Sequence, residues 1–316
     1  MTIRFLTWSN PKEQSRLGPL QSSAKRNGIE VKPIDCFSLF DKLWSLGREL
    51  ATFTTNELVV CTDGYDCLYV QSLVDIRSTL DEFGTKIVFS SQAENDHHSK
   101  PAVDFFREMN QNSPYPILNS GVIAGWSTSI SRMIGRIKEW NLEREEHNFR
   151  SNMAGIGTFN DQTLCGIYAV QFPDEIAVDS EAKLSWTSAY ENELVDSLID
   201  EHEKTLRNPI SGSVPCIFHL PNTSPGVYVQ YLRAFSALGG HITARTSDIL
   251  LLENFLSAPG RLGDDAAKVL STLQKESDFL HCRRQQYRRH RIKRARIAVS
   301  KFIRRLFPQG TGIAKR

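Results

Sequence analysis

Short apolar runs and amphipathic stretches alternate along most of the chain. Ile3-Arg4-Phe5-Leu6-Thr7-Trp8 reads as a strand ending in the turn-forming Ser9-Asn10-Pro11. Residues 19–26 follow as a helix stopped by Gly28, and 29–34 as a second strand. Between residues 37 and 53, Leu39, Leu43, Leu46 and Leu50 recur close to the helical period. Leu58-Val59-Val60-Cys61 is apolar and β-branched at its centre, the mark of a buried strand. Residues 70–83 then predict a helix and 86–90 another buried strand, while 91–115 are partly polar and irregular. Further on come a helix over 130–140, a helix opening at 163–168, strand-like 176–187 and an acidic amphipathic helix over 191–206. A short strand over 216–218 and helices over 228–238 and 248–256 follow. This alternation predicts an α/β fold, a mostly parallel sheet flanked by helices.

Composition agrees with a globular body. Hydrophobic residues make up 40% and charged residues 23% of the 316, enough for a sizeable core. No apolar run reaches the roughly 20 residues of a membrane span, and the first residues turn polar too soon for a secretory signal. The six cysteines show no CxxC spacing, which points to buried thiols in a reducing, cytoplasmic setting.

Charge divides the chain more sharply. Residues 283–316 hold 13 Lys and Arg and no acid, leaving 25 bases against 36 acids before them. An acidic body over 1–256 is therefore expected to carry a helical C-terminal extension over 257–316 with a basic tail. Within 283–307, Ile292, Ala295, Val299, Phe302, Ile303 and Leu306 share one helical face among the Arg and Lys. That pattern suits a helix lying on an anionic membrane surface, peripheral on its inner face. Packing on the acidic body and a nucleic-acid arm are the competing explanations.

Several stretches carry candidate chemistry. The strand at 58–61 runs into Thr62-Asp63-Gly64-Tyr65-Asp66, two carboxylates around a Gly-Tyr pair. Ligands of open α/β sheets collect at the carboxyl ends of strands, and hard divalent cations prefer carboxylate oxygen. A plain β-turn explains the same residues. Leu118-Asn119-Ser120-Gly121 interrupts an apolar stretch, either as a β-bulge or where backbone approaches a ligand. Asn160-Asp161-Gln162 opens a helix, and capping alone would account for Asn160 or Asp161. His219 stands at a strand end, where a structural role is common. Asp96, His97 and His98 adjoin in a polar loop and read as solvated.

Together and in this order, these motifs resemble the glycosyltransferase domain of the multifunctional procollagen lysyl hydroxylases, a GT-A-type nucleotide-sugar transferase. The likeness covers roughly residues 3–230. It implies a fold of the GT-A kind and transfer of a hexose from a UDP-sugar to a hydroxyl on a glycan or protein. It implies that Asp63, Asp66 and His219 hold Mn²⁺ or Mg²⁺, that Tyr65 stacks on the uracil and that Thr7 contacts the nucleotide. Asn119, Ser120 and Gly121 would floor the sugar pocket, and Asp161 with Gln162 would border the transferred sugar and acceptor. The family's glycine-rich turn and lysine after the histidine are replaced by Leu220-Pro221-Asn222-Thr223-Ser224-Pro225-Gly226. Diphosphate contact then falls to Asn222, Thr223, Ser224 or backbone amides.

Two other classes stay in play. A nucleic-acid-binding or nucleic-acid-modifying protein would use the tail as its arm, but no aromatic interleaving supports it. A catalytically silent sugar-binding scaffold on the same fold would not need Asp63, Asp66 and His219 intact.

Overall fold

The computed structural model describes residues 2–37, 41–93, 98, 100–150, 161–188, 199–200, 205–221, 231 and 234–240. The fold described here is that of the unit built from Met1–His147 and Gly157–Leu250. The basic tail over 283–307, the boundary at 256/257, and Asp96, His97, Asn160 and Asn222 lie outside the described residues.

A mixed sheet of nine strands forms the frame. β1 (Ile3–Ser9) pairs in parallel with β2 (Val31–Asp35) and with β3 (Leu58–Asp63). Next to β3 runs the long, antiparallel β6 (Ile117–Trp126), and β6 in turn pairs antiparallel with β5 (Ile87–Gln92). Parallel partners of β5 are β7 (Ile176–Val178) and β8 (Ser185–Thr187). β11 (Ile217–His219) continues in parallel from β8, and β4 (Cys67–Tyr69) closes the edge antiparallel to β11. The parallel strands β1, β3, β8 and β11 therefore release Ser9, Asp63, Thr187 and His219 in one direction.

Side-chain alternation divides most of the core into two layers, and a third cluster gathers Leu68, Tyr115, Trp186 and Phe218. Leu6, Trp8, Val59, Cys61, Phe89 and Ile123 face one side. There they pack against α2 (Lys42–Leu50), α4 (Lys100–Met109), α5 (Ser127–Arg150) and α6 (Asp161–Gln171). Phe5, Val60, Val88 and Val122 face the other side, against Leu20 and Ala24 of α1 (Gly18–Arg26) and Ile76 and Leu80 of α3 (Leu73–Glu82). α3 starts at a capping box in which Ser72 and Asp75 satisfy each other's backbone N–H. No helix among the described residues is long and apolar enough to cross a membrane.

Three expectations need correction. The stretch 176–187 is two strands, β7 and β8, because Asp179 folds the intervening loop around its carboxylate. Residues 199–200 and 205–206 form an antiparallel ladder, β9 (Ile199–Asp200) with β10 (Thr205–Leu206), where the acidic helix expected over 191–206 would have ended; the rest of that stretch lies outside the described residues. The pairing is made between the two segments themselves, with Ile199 and Leu206 buried. His98 is not solvated: its ring is buried, edge-on to Phe106, with Nε2 2.8 Å from the Leu118 carbonyl.

Asp179 carries a stability prediction. Its buried carboxylate accepts backbone N–H bonds from Lys183, Leu184 and Ser185 at 2.7–2.9 Å. Burial nevertheless pushes its pKa up to about 7, against the pull of those amides. Asp179→Ala strands three amides and should cost about 3 kcal/mol. A raised folded pKa means that the stabilisation tied to this proton is full below the unfolded value of 3.8 and is lost as pH rises through about 7. Urea unfolding at pH 5 and pH 8 should therefore show the gap between wild type and variant narrowing at pH 8.

Candidate active site at the carboxyl edge of the sheet

The site begins where β3 leaves the sheet. Asp63 is its last residue, and Gly64 carries the chain across the end of β1. A Cβ on Gly64 would lie 2.3 Å from the Trp8 carbonyl oxygen, so only glycine permits this crossing. The turn then swings Asp66 towards β11, where the N–H of Leu220, just past the strand, binds the Asp66 carbonyl at 2.9 Å. The acidic pair is thus anchored at both ends by backbone.

His219 comes to the same place from the far end of the chain. Its ring is 2% exposed and lies on Gly121, where an added Cβ would be 2.1 Å from Cε1. Thr187 Oγ1 sits 3.3 Å from Nδ1, while Nε2 has no hydrogen-bond partner among the described residues. Nε2 faces Asp66 Oδ1 at 3.7 Å and Asp63 Oδ2 at 3.8 Å. Burial pushes the imidazole pKa down to about 4, with Asp63 opposing and Lys42 assisting. The ring is therefore neutral near pH 7, and with Nδ1 protonated Nε2 offers a lone pair to the two carboxylates' side.

β6 supplies the floor. Its pairing with β5 shifts register between Phe89 and Ser90, so Ser120, Gly121 and Val122 bulge. Ser90 Oγ and the Asn119 side chain satisfy the loosened backbone: Asn119 Oδ1 accepts the Gly121 N–H at 2.8 Å, and Ser90 Oγ accepts the Val122 N–H at 3.1 Å. Asn119 Nδ2 donates to Gln92 at 2.8 Å and to Gln162 at 3.3 Å. The stretch is both a bulge and a close backbone approach, with the His219 ring in contact.

Asp161 and Gln162, the first residues of α6, are both buried. Ser120 Oγ donates to Asp161 Oδ2 at 2.6 Å. Lys42 reaches the same oxygen at 3.0 Å and Asp63 Oδ1 at 2.6 Å. Burial works against the Lys42 ammonium, but Asp161 and Asp63 outweigh it and hold its pKa above the ordinary value. Burial likewise pushes Asp63 up to about 6, with Lys42 pulling down and Asp66 pushing up.

Lys42 is the residue that sequence reasoning missed. It was hidden in a helix whose lysines are expected in solvent. The signal was its position: four residues before Leu46, it falls on the apolar face of α2 and is 4% exposed.

The remaining expected positions are placed as follows. Tyr65 is half-buried, its hydroxyl accepting from the Asn10 N–H at 2.6 Å, with the Arg16 guanidinium 4.7 Å from the ring centroid. Thr7 is fully buried and donates to the Thr62 carbonyl at 3.0 Å.

The chemistry of this cluster is of a kind that suits a divalent cation. Three carboxylates, Asp63, Asp66 and Asp161, surround one ammonium and one neutral imidazole. The first two are partly exposed, and a cation there would offset the mutual repulsion of the acids. Ligand-type atoms of Asp66, Cys67 and His219 also lie within 4.8 Å of one another, which adds a thiol that the sequence did not suggest. Cys67 is brought there because it pairs directly with His219 across the β4–β11 ladder.

No protein-family model matches the chain, and no curated protein does. Among solved structures, the chain is similar to a glycosyltransferase involved in glycosylation of the major capsid of PBCV-1. Identity is 14%, with 75% of this chain and 98% of that one covered at a TM-score of 0.43. It is also similar to the galactosyltransferase LgtC, at 10% identity, 79% and 100% coverage and a TM-score of 0.44. Mouse xyloside xylosyltransferase 1 is a third, at 15% identity, 71% and 99% coverage and a TM-score of 0.43.

Proposed function

We propose that this protein is a metal-dependent glycosyltransferase of the GT-A kind, moving a hexose from a UDP-sugar to a hydroxyl acceptor. The observation that carries the reading is the buried His219 Nε2. It has no hydrogen-bond partner among the described residues and is aimed at two carboxylates on the edge where α/β sheets take ligands. Asp63, Asp66 and His219 would hold Mn²⁺ or Mg²⁺. A bound divalent cation supplies Lewis-acid stabilisation of charge on a departing diphosphate, worth several kcal/mol.

The chain's own residues do the rest. His219 stays neutral and keeps its lone pair available. Asn119 spends its amide within the protein, on Gln92, Gln162, Ser90 and the Gly121 N–H, and so stiffens the bulge that would floor the sugar pocket. Asp161 is anchored through Oδ2 by Ser120 and Lys42. An anchored carboxylate suits orienting the acceptor hydroxyl or steadying positive charge on the sugar ring. A membrane-proximal glycan as acceptor and a membrane-peripheral location rest on the tail sequence, and a cytoplasmic setting on the cysteine spacing.

A second reading is a silent sugar-binding protein. It is favoured by one observation: Lys42 already occupies Asp63 Oδ1, as an internal cation would in a metal-free site. One experiment separates the two. The protein is incubated with a panel of sugar nucleotides, with and without Mn²⁺, and free nucleotide is measured. Release that needs Mn²⁺ and is strongest with a UDP-sugar is expected. Donor binding with no release under any condition would leave the silent protein.

A further inference from the structure

The geometry points to Lys42 as a positioning residue that fastens the metal-side carboxylate to the acceptor-side carboxylate and holds metal affinity below what the bare acids would give. This rests on the transferase reading for its effect on turnover, but not for its effect on the metal. Lys42 comes from α2, an element that contributes no other residue to the site, and reaches across to β3 and α6. Its Nζ is 2.6 Å from Asp63 Oδ1 and 3.0 Å from Asp161 Oδ2. The ammonium lies 4.6 Å from the Trp8 ring centroid, and Trp8 Nε1 donates to the Lys42 carbonyl at 2.9 Å. Side chain and backbone are therefore both fixed by one tryptophan of β1.

The two carboxylates divide their oxygens around this clamp. Asp63 gives Oδ1 to Lys42 and turns Oδ2 towards His219. Asp161 receives Lys42 and Ser120 on Oδ2, and among the described residues no hydrogen bond reaches Oδ1. Each acid is thus held by Lys42 through one oxygen. A buried ammonium is a costly way to align two side chains when a serine or asparagine could do so. Its distinct property is charge. It cancels one of three negative charges next to the candidate metal ligands, so a cation there is held but remains exchangeable.

Opposing signs make the idea testable on the full chain. Mn²⁺ affinity is measured by titration without donor at pH 8, and donor turnover separately. Lys42→Met removes the charge at nearly constant length. Mn²⁺ should then bind at least about tenfold tighter, from one fewer positive charge within about 4–6 Å. Transfer should fall about a hundredfold through kcat, with KM for the donor changing little. Loss of fold weakens both, so tighter metal with slower transfer is a signature that damage alone does not produce.

Should Lys42→Met not fold, the reciprocal Asp161→Asn is read. It leaves Lys42 to neutralise Asp63 alone, and Mn²⁺ binding should weaken about tenfold although Asp161 is no proposed ligand. Unchanged or weaker Mn²⁺ binding in a folded Lys42→Met protein, or unchanged binding in Asp161→Asn, overturns the proposal. If wild type turns over no donor, the transferase reading fails while the Mn²⁺ titrations still decide the role of Lys42.

Discussion

Asp66→Asn should lower metal-dependent nucleotide release by more than about a hundredfold while the melting temperature stays near that of wild type. The two halves of this expectation have separate causes. Asp66 helps hold the turn through its backbone, whose carbonyl accepts the Leu220 N–H. Asparagine keeps that bond. The side chain instead contributes a charged oxygen 3.7 Å from His219 Nε2, and an amide is a far weaker ligand for a hard cation. Full turnover in a folded Asp66→Asn protein would take the residue out of the site. A parallel fall in Mn²⁺ affinity without donor would show that the loss begins at the metal.

Gly121→Ala should be as damaging from the opposite side of the histidine. A methyl group there would overlap the His219 ring, with Cε1 at 2.1 Å and both ring nitrogens within 2.8 Å. The ring is wedged, since Thr187 Oγ1 lies 3.3 Å away and β11 is paired on both sides. The variant should lose about 1–3 kcal/mol from overpacking and about a hundredfold or more of turnover as Nε2 is displaced. Adding His219→Ala removes the clash, so the double variant should regain stability in urea unfolding without regaining turnover. Additive stability losses would mean the two residues do not meet.

Much of the frame could be read from short-range pattern. β1, β3 and β5 are apolar runs, and α2 and α3 repeat at the helical period, because burial on one face leaves a periodic trace. Asp63 and Asp66 stood out as acids directly after an apolar strand, whereas His219 was joined to them only by the family resemblance; the structure brings the three side chains to one edge. What escaped notice depends on distant partners. β4 has three residues and β9 and β10 two each, too short to leave a period. They exist because another strand offers its edge. Lys42 and His98 escaped for a related reason. A lysine in a helix and a histidine in a polar stretch read as solvated until the elements that bury them, α6 with β3 and α4 with β6, are known. The Cys67 thiol belongs with them, since only the ladder to β11 shows that it stands opposite His219.

That ladder also sets an order of events. Among the described residues, β11 is the one strand to which β4 is paired. Until residues 217–219 dock, the segment after Asp66 has no strand to lie against, although its future partner is about 150 residues further along the chain. Contacts that close so long a loop are slow to form and arrive late in folding. The acidic turn and the thiol are neighbours in the chain, and Ser23 and Asn27 of the α1 region already hold Tyr69, so it is the imidazole that arrives late. On the metal-dependent reading, capture of Mn²⁺ during refolding would mark the docking of β11, a clock for the last joint of the sheet.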